Sequence, residues 1–134
     1  IRTAEAAGMS GIVLSDSSVD VTNPKVVRST MGAMLRVPVV YTSSIVETLE
    51  KFRKIYPDFK AYATSLDCSK PYNEVSYGTS YGLIIGNESV GVSEAVVKAA
   101  DASIHIPMEG CVESLNAAVA AAIVMYEAKN HRGK

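Results

Sequence analysis

At 134 residues the chain is the size of one ordinary domain, long enough to bury a core and too short for two substantial ones. Apolar residues make up 48% and charged residues 20% with no low-complexity run, which excludes disordered, collagen-like and mucin-like classes and predicts a soluble globular domain. The formal net charge of −1 leaves no overall footprint for nucleic acid, so any such contact needs a local patch or a segment outside this chain.

The opening Ile1-Arg2-Thr3-Ala4-Glu5-Ala6-Ala7-Gly8 reads as the middle of a helix ending at Gly8, and with no initiator methionine the chain is expected to be a fragment lacking its first residues. Short apolar runs of strand length follow at residues 11–14, 38–41, 61–64, 81–85 and 103–106. They are too continuous for half-exposed antiparallel strands. Helical patterns lie between them: residues 24–35 after the Thr22-Asn23 cap signal, residues 44–56 with Ile45, Leu49 and Phe52 on one stripe, and residues 93–100 behind Ser93 as N-cap. A last helix, roughly residues 114–130, carries Leu115, Val119, Ala122, Ile123 and Tyr126 along one face. This alternation predicts an α/β domain with a parallel sheet.

Residues 70–81 form the longest loop-like segment; its tyrosines could stack on a base, but half-buried structural tyrosines are the favoured reading. The longest apolar stretches, residues 82–86 and 117–126, fall well short of the roughly 20 residues needed to span a bilayer. With no signal-peptide pattern at its start, the chain is expected in the cytoplasm. Cys68 and Cys111 are far apart and lack His or Cys at ligand spacing, so reduced core or loop residues are expected, with neither a disulfide nor a metal site.

Chemistry is expected at two turns. The strand at 81–85 runs into Gly86-Asn87-Glu88-Ser89-Val90-Gly91-Val92-Ser93 and then a helix, a glycine-bearing turn that brings backbone amides near a ligand. Val92-Ser93 stands where a phosphate loop needs Lys-Ser/Thr, and no G-x-G-x-x-G follows the first strand, which disfavours nucleoside triphosphate and dinucleotide sites. Alone, the turn could equally be a plain capped turn. The second feature is the strand end at Ile106-Pro107-Met108-Glu109-Gly110, nine residues before Leu115. One crevice at the sheet's carboxyl edge could gather both strand ends and the last helix, with Met108 and Leu115 as apolar walls.

Gly-Asn-Glu followed by Gly-Val-Ser, then Ile-Pro-Met-x-Gly-x-x-Glu-Ser-Leu-Asn-x-x-Val-Ala, is similar to motifs two and three of the SpoU/TrmH RNA methyltransferases. Residues 1–8 resemble the second half of motif one, and Asn23-Pro24-Lys25-Val26-Val27-Arg28-Ser29-Thr30-Met31-Gly32-Ala33 resembles the segment between motifs one and two, so the resemblance covers essentially the whole chain. It implies the SPOUT fold, a Rossmann-like parallel sheet flanked by helices with a C-terminal deep trefoil knot. It implies transfer of a methyl group from S-adenosyl-L-methionine to a ribose 2′-hydroxyl of rRNA or tRNA, rRNA slightly favoured. Carried over, Gly86, Ile106 and Leu115 contact the cofactor mainly through their backbones, Met108 lies adjacent, and Ala63 and Thr64 line its methionine side. Arg2, Glu88, Ser114 and Asn116 form the catalytic and RNA-orienting set, without a metal. Arg2 is proposed in the family as a base, but a guanidinium stays protonated, and binding phosphate and stabilising alkoxide charge suits its planar fork better. Glu88 would orient Arg2 or the helix start, while Ser114 and Asn116 can also cap the last helix. His105, within a strand, and His131, in the polar tail, are left outside the catalytic set.

The resemblance also implies a homodimer through the knotted region and an RNA-recruiting domain outside this chain. An RNA-binding module without catalysis and a different nucleotide-binding α/β enzyme are the competing readings.

Overall fold

A computed structural model describes residues 1–67 and 69–131 and divides into two compact units, Ile1–Ile45 and Val46–Lys134. Cys68 lies outside the described residues; Cys111 is free and exposed.

In the first unit, helix α1 (Arg2–Ala6) ends where Gly8, at φ 76°, turns left-handed, and the Gly8 and Met9 amides donate to Glu5 and Ala4 carbonyls. This crossed pair satisfies carbonyls that the helix end leaves open, which is the role expected of Gly8. Strands β1 (Ile12–Ser15) and β2 (Val39–Thr42) pair in parallel, Ile12 opposite Val39 and Ser15 opposite Thr42. Helix α2 (Pro24–Ser29) starts as its sequence demands: Asn23 accepts from the Lys25 amide, and Pro24 needs no donor partner in the first turn. The expected helix over residues 24–35 is interrupted, however. Thr30 is its C-cap, Met31 and Gly32 adopt φ 51° and 81°, and Ala33–Leu35 form a separate 3-10 turn. Left-handed backbone at two successive residues cannot continue an α-helix. Arg36, after the turn, pairs with Glu5 of α1, and Ala4, Ala7 and Ala33 are buried.

The second unit carries α3 (Ile45–Ile55), β3 (Lys60–Thr64), β4 (Lys70–Pro71), β5 (Tyr81–Ile84), α4 (Glu94–Ala99), β6 (Ala102–His105) and α5 (Ala117–Asn130). Its four strands are parallel in the order β4-β6-β3-β5, so the last strand lies between two earlier ones. Tyr62 of β3, Tyr77, Ile104 of β6, and Val124 and Ala128 of α5 form the core. Each large apolar side chain buried in this way stabilises the fold by about 1.5–3 kcal/mol. The tyrosines are structural: Tyr62 of β3 donates to the Ser76 carbonyl, fastening the segment between β4 and β5 to the sheet, and Tyr77 donates to that of Tyr72 within the segment, both at 2.6 Å. Burial raises the phenol pKa of both, consistent with neutral hydroxyls serving as donors.

One expectation for α5 is corrected: the helix starts at Ala117, and residues 114–116 are non-helical. Its buried positions are Val124 and Ala128, four residues apart, while Val119 and Tyr126 of the apolar stripe are 49% and 43% exposed. An alanine-rich helix is apolar on nearly every side, so periodicity could not select the buried face; small side chains opposite the tyrosines did.

Candidate functional site

Because its strands are parallel, the second unit gathers the carboxyl ends of β3, β5 and β6 on one edge, where loops rather than strands control what is presented. A cavity of about 370 Å³ opens there, within the range of small-molecule sites, roughly 300–1,000 Å³. Three loops and the start of α5 wall it: residues 64–67 after β3, 85–92 after β5, and 106–115 after β6.

The loop after β5 folds back on itself. The Gly91 amide donates to the Asn87 carbonyl at 2.7 Å, the Ser89 amide donates to Asn87 Oδ1 at 2.7 Å, and Gly91 adopts φ 72°. A Cβ at Gly86 would collide with the backbone of Gly91 and Val92, so the loop closes only because residue 86 has none. The loop after β3 is braced by the Ser65 amide donating to Ile104 at 3.0 Å and by the Asp67 amide donating to Ser65 Oγ at 3.2 Å. Thr64 Oγ1 donates to the Ile84 carbonyl at 3.1 Å, tying the ends of β3 and β5.

Asn116 joins the third wall to the second. Its Oδ1 accepts from the amides of Ala118 and Val119 at 3.0 and 3.3 Å, capping α5. The cap fixes which way the side-chain amide faces, since only the oxygen can accept. Its Nδ2 is thereby left to donate to Glu88 Oε1, at 3.4 Å.

Thr64, Gly86, Glu88, Ile106, Met108, Ser114 and Leu115, seven of the ten residues singled out in the sequence, line this cavity. Ala63 does not; it is fully buried, one position inside the strand from Thr64. Asn116 is exposed and outside the lining, but its Nδ2 donates to the lining Glu88. Arg2 is exposed at the first position of α1 in the other unit. Ser114 carries no cap, which falls to Asn116 alone, and Ser93 occupies an N-cap position without a side-chain bond.

Asp67, His105 and Glu113 also line the cavity and were not foreseen as site residues. Asp67 was findable, because it follows the carboxyl end of β3, the edge where parallel sheets place ligands. His105 is in a strand, as expected, yet it is among the lining residues and its Nδ1 lies 2.8 Å from Ser69 Oγ. Asp67, Glu88 and Glu113 give the lining three carboxylates, and its described residues include no lysine or arginine. Such a cavity suits a cation with apolar and hydrogen-bonding parts and is adverse to polyphosphate.

A parallel α/β sheet with a small-molecule cavity at its carboxyl edge defines a ligand-binding α/β protein. The chain belongs to the SpoU rRNA Methylase family, whose model matches residues 1–126. Over 128 residues it is 41% identical to the 23S rRNA (guanosine(2553)-2'-O)-methyltransferase RlmP of Bacillus subtilis, covering 94% of this chain and 50% of that protein. Among solved structures it resembles the SpoU methyltransferase AviRb from Streptomyces viridochromogenes in complex with the cofactor AdoMet, with a TM-score of 0.88 and 32% identity over 98% of this chain and 51% of that one. It also resembles the A. aeolicus TrmH/SpoU tRNA modifying enzyme, with a TM-score of 0.82 and 31% identity over 98% of this chain and 66% of that one. The chain spans about half the length of the curated relatives it matches.

Proposed function

We propose that this chain is the catalytic domain of an S-adenosyl-L-methionine-dependent RNA ribose 2′-O-methyltransferase acting in the cytoplasm on rRNA or tRNA, rRNA being favoured by the RlmP relative. The observation that carries this reading is the carboxyl-edge cavity, where the Gly86 turn, Ile106 and Leu115 meet under an acidic lining. Apolar Met108 and Leu115 suit an adenine face, exposed main-chain groups of the turns suit its polar edge, and Asp67, Glu88 and Glu113 suit a ligand bearing sulfonium and ammonium charges. The cofactor, when bound, supplies an activated methyl group and its own leaving group.

What falls to the protein is alignment of the ribose hydroxyl with that methyl and management of the proton the hydroxyl loses. Glu88 and Ser114 stand on the cavity wall where an entering ribose can be oriented, and Asn116 holds the Glu88 carboxylate. Arg2 binds the target phosphate and stabilises developing alkoxide charge, a role its permanently charged guanidinium can fill, whereas that of base it cannot.

Three further features belong to the same reading. The C-terminal segment is knotted, a proposal supported by β6 lying between β4 and β3. The exposed Val119 and Tyr126 of α5 face a second copy in a homodimer. RNA recruitment falls largely to a domain outside this chain, consistent with its net charge of −1.

The test is calorimetric titration of S-adenosyl-L-methionine into the full-length protein, followed by mass spectrometry of RNA incubated with both. A micromolar complex and a gain of one methyl on a ribose are expected. Absence of cofactor binding would remove the assignment, and RNA binding without methyl transfer would leave a non-catalytic RNA-binding module.

A further inference from the structure

We infer that His105 is a positioning residue of the cavity, holding the wall that follows β3 through a two-link hydrogen-bond chain. Ser69 Oγ lies 2.8 Å from His105 Nδ1 and 3.2 Å from the Leu66 carbonyl oxygen. A serine hydroxyl has one proton, and a carbonyl oxygen can only accept. With both bonds made, that proton goes to Leu66, and Ser69 Oγ accepts from His105 Nδ1–H. The chain runs His105 Nδ1–H to Ser69 Oγ–H to the Leu66 carbonyl, which selects the tautomer of the ring.

The two ends of this chain differ in rigidity. His105 closes β6, its own carbonyl accepts from the Tyr72 amide at 2.8 Å, and the preceding Ile104 is fully buried. Leu66 is 69% exposed and belongs, with Asp67, to a segment outside regular structure. Both Leu66 and Asp67 line the cavity. Among the described residues of the segment, the Ser65 amide donating to Ile104 and the Asp67 amide donating to Ser65 Oγ tie its start. Exposed residues such as Leu66 and Asp67 gain little hold from packing, so such bonds matter there, and the histidine provides a tie at the far side. His105 thus sets the position of Leu66 and of the Asp67 carboxylate relative to the rest of the wall.

This inference rests on the reading of the cavity as a cofactor site, and its test separates the two. In the full-length protein without ligand, His105→Ala and Ser69→Ala should each raise the hydrogen-exchange rate of the Asp67 amide about tenfold. The double variant should be no worse than either single one, because both remove the same link. His105→Asn, whose side-chain N–H can stand in for Nδ1–H, should restore protection. Titration with S-adenosylhomocysteine should follow the same order, with affinity down about tenfold in the alanine variants and largely recovered in asparagine. Unchanged exchange in both alanine variants overturns the inference, as does wild-type affinity in variants whose loop exchanges faster. Wild type that binds no S-adenosylhomocysteine, with the exchange pattern as expected, overturns the cofactor reading and leaves the His105 tie standing.

Discussion

The two edges of the four-stranded sheet are built on opposite plans. At the amino edge the charged groups satisfy one another: Arg53 donates to the Ala99 carbonyl at 2.7 Å and to Asp101 Oδ2 at 2.8 Å. The same carboxylate oxygen accepts from the Ala61 amide at 2.8 Å, and Lys60 Nζ stands 3.9 Å from Oδ1. Burial alone would raise the Asp101 pKa, but the Arg53 hydrogen bond, the Ala61 amide and the charges of Arg53 and Lys60 outweigh it and hold the carboxyl below its ordinary value. At the carboxyl edge three carboxylates line a cavity with no lysine or arginine among its described lining residues. Closed networks hold a fold together; polar groups left facing a cavity are available to a ligand.

The contrast is sharpest at Gly86. Gly86→Ala should lower S-adenosyl-L-methionine affinity about a hundredfold, roughly 2.7 kcal/mol, because its Cβ meets backbone that cannot rotate away; titration of a variant with native circular dichroism checks this. Next comes Asp101→Ala, which should destabilise the protein by about 2 kcal/mol in urea unfolding while leaving cofactor affinity within twofold. The wild-type contribution has a pH signature. Since the folded pKa of Asp101 is depressed, its stabilisation is complete above the ordinary carboxylate value, about 3.9, and is lost as pH falls through the folded value. The variant should lack that acid limb.

Asn116→Asp should do the reverse of Asp101→Ala. The new carboxylate still caps α5, but it confronts Glu88 with like charge instead of a donor, so stability should hold while methyl transfer falls about tenfold, roughly 1.4 kcal/mol. Equal losses of stability and activity would break the division of labour drawn between the two edges. The smallest effect belongs to Ser93→Ala, expected within about 0.5 kcal/mol of wild type by thermal unfolding, since that side chain makes no cap bond.

Much of this was legible in the residues. The apolar runs at 61–64, 81–85 and 103–106 marked the strands that deliver the cavity loops, and the spacing from Gly86 to Ile106 to Leu115 marked one crevice. What escaped was set by tertiary choice. Thr30 ends α2 because Met31 and Gly32 turn left-handed; Gly32 is a stop signal of the same kind as Gly8, but the left-handed Met31 has none in its side chain. The face of α5 that is buried was decided by the tyrosines opposite it. His105 looked like an ordinary strand residue, because its partner Ser69 lies 36 positions away in sequence.

The loop from Gly86 to Val92 closes on itself through a backbone bridge between Asn87 and Gly91, the Asn87 side chain on the Ser89 amide, a bare α-carbon at 86 and a left-handed residue at 91. Ser89 and Val90 at its tip are exposed and take no side-chain part in that closure. The turn is therefore tolerant at Ser89, which neither lines the cavity nor closes the loop with its side chain, and intolerant at its hinges, where the mould is cast in peptide groups.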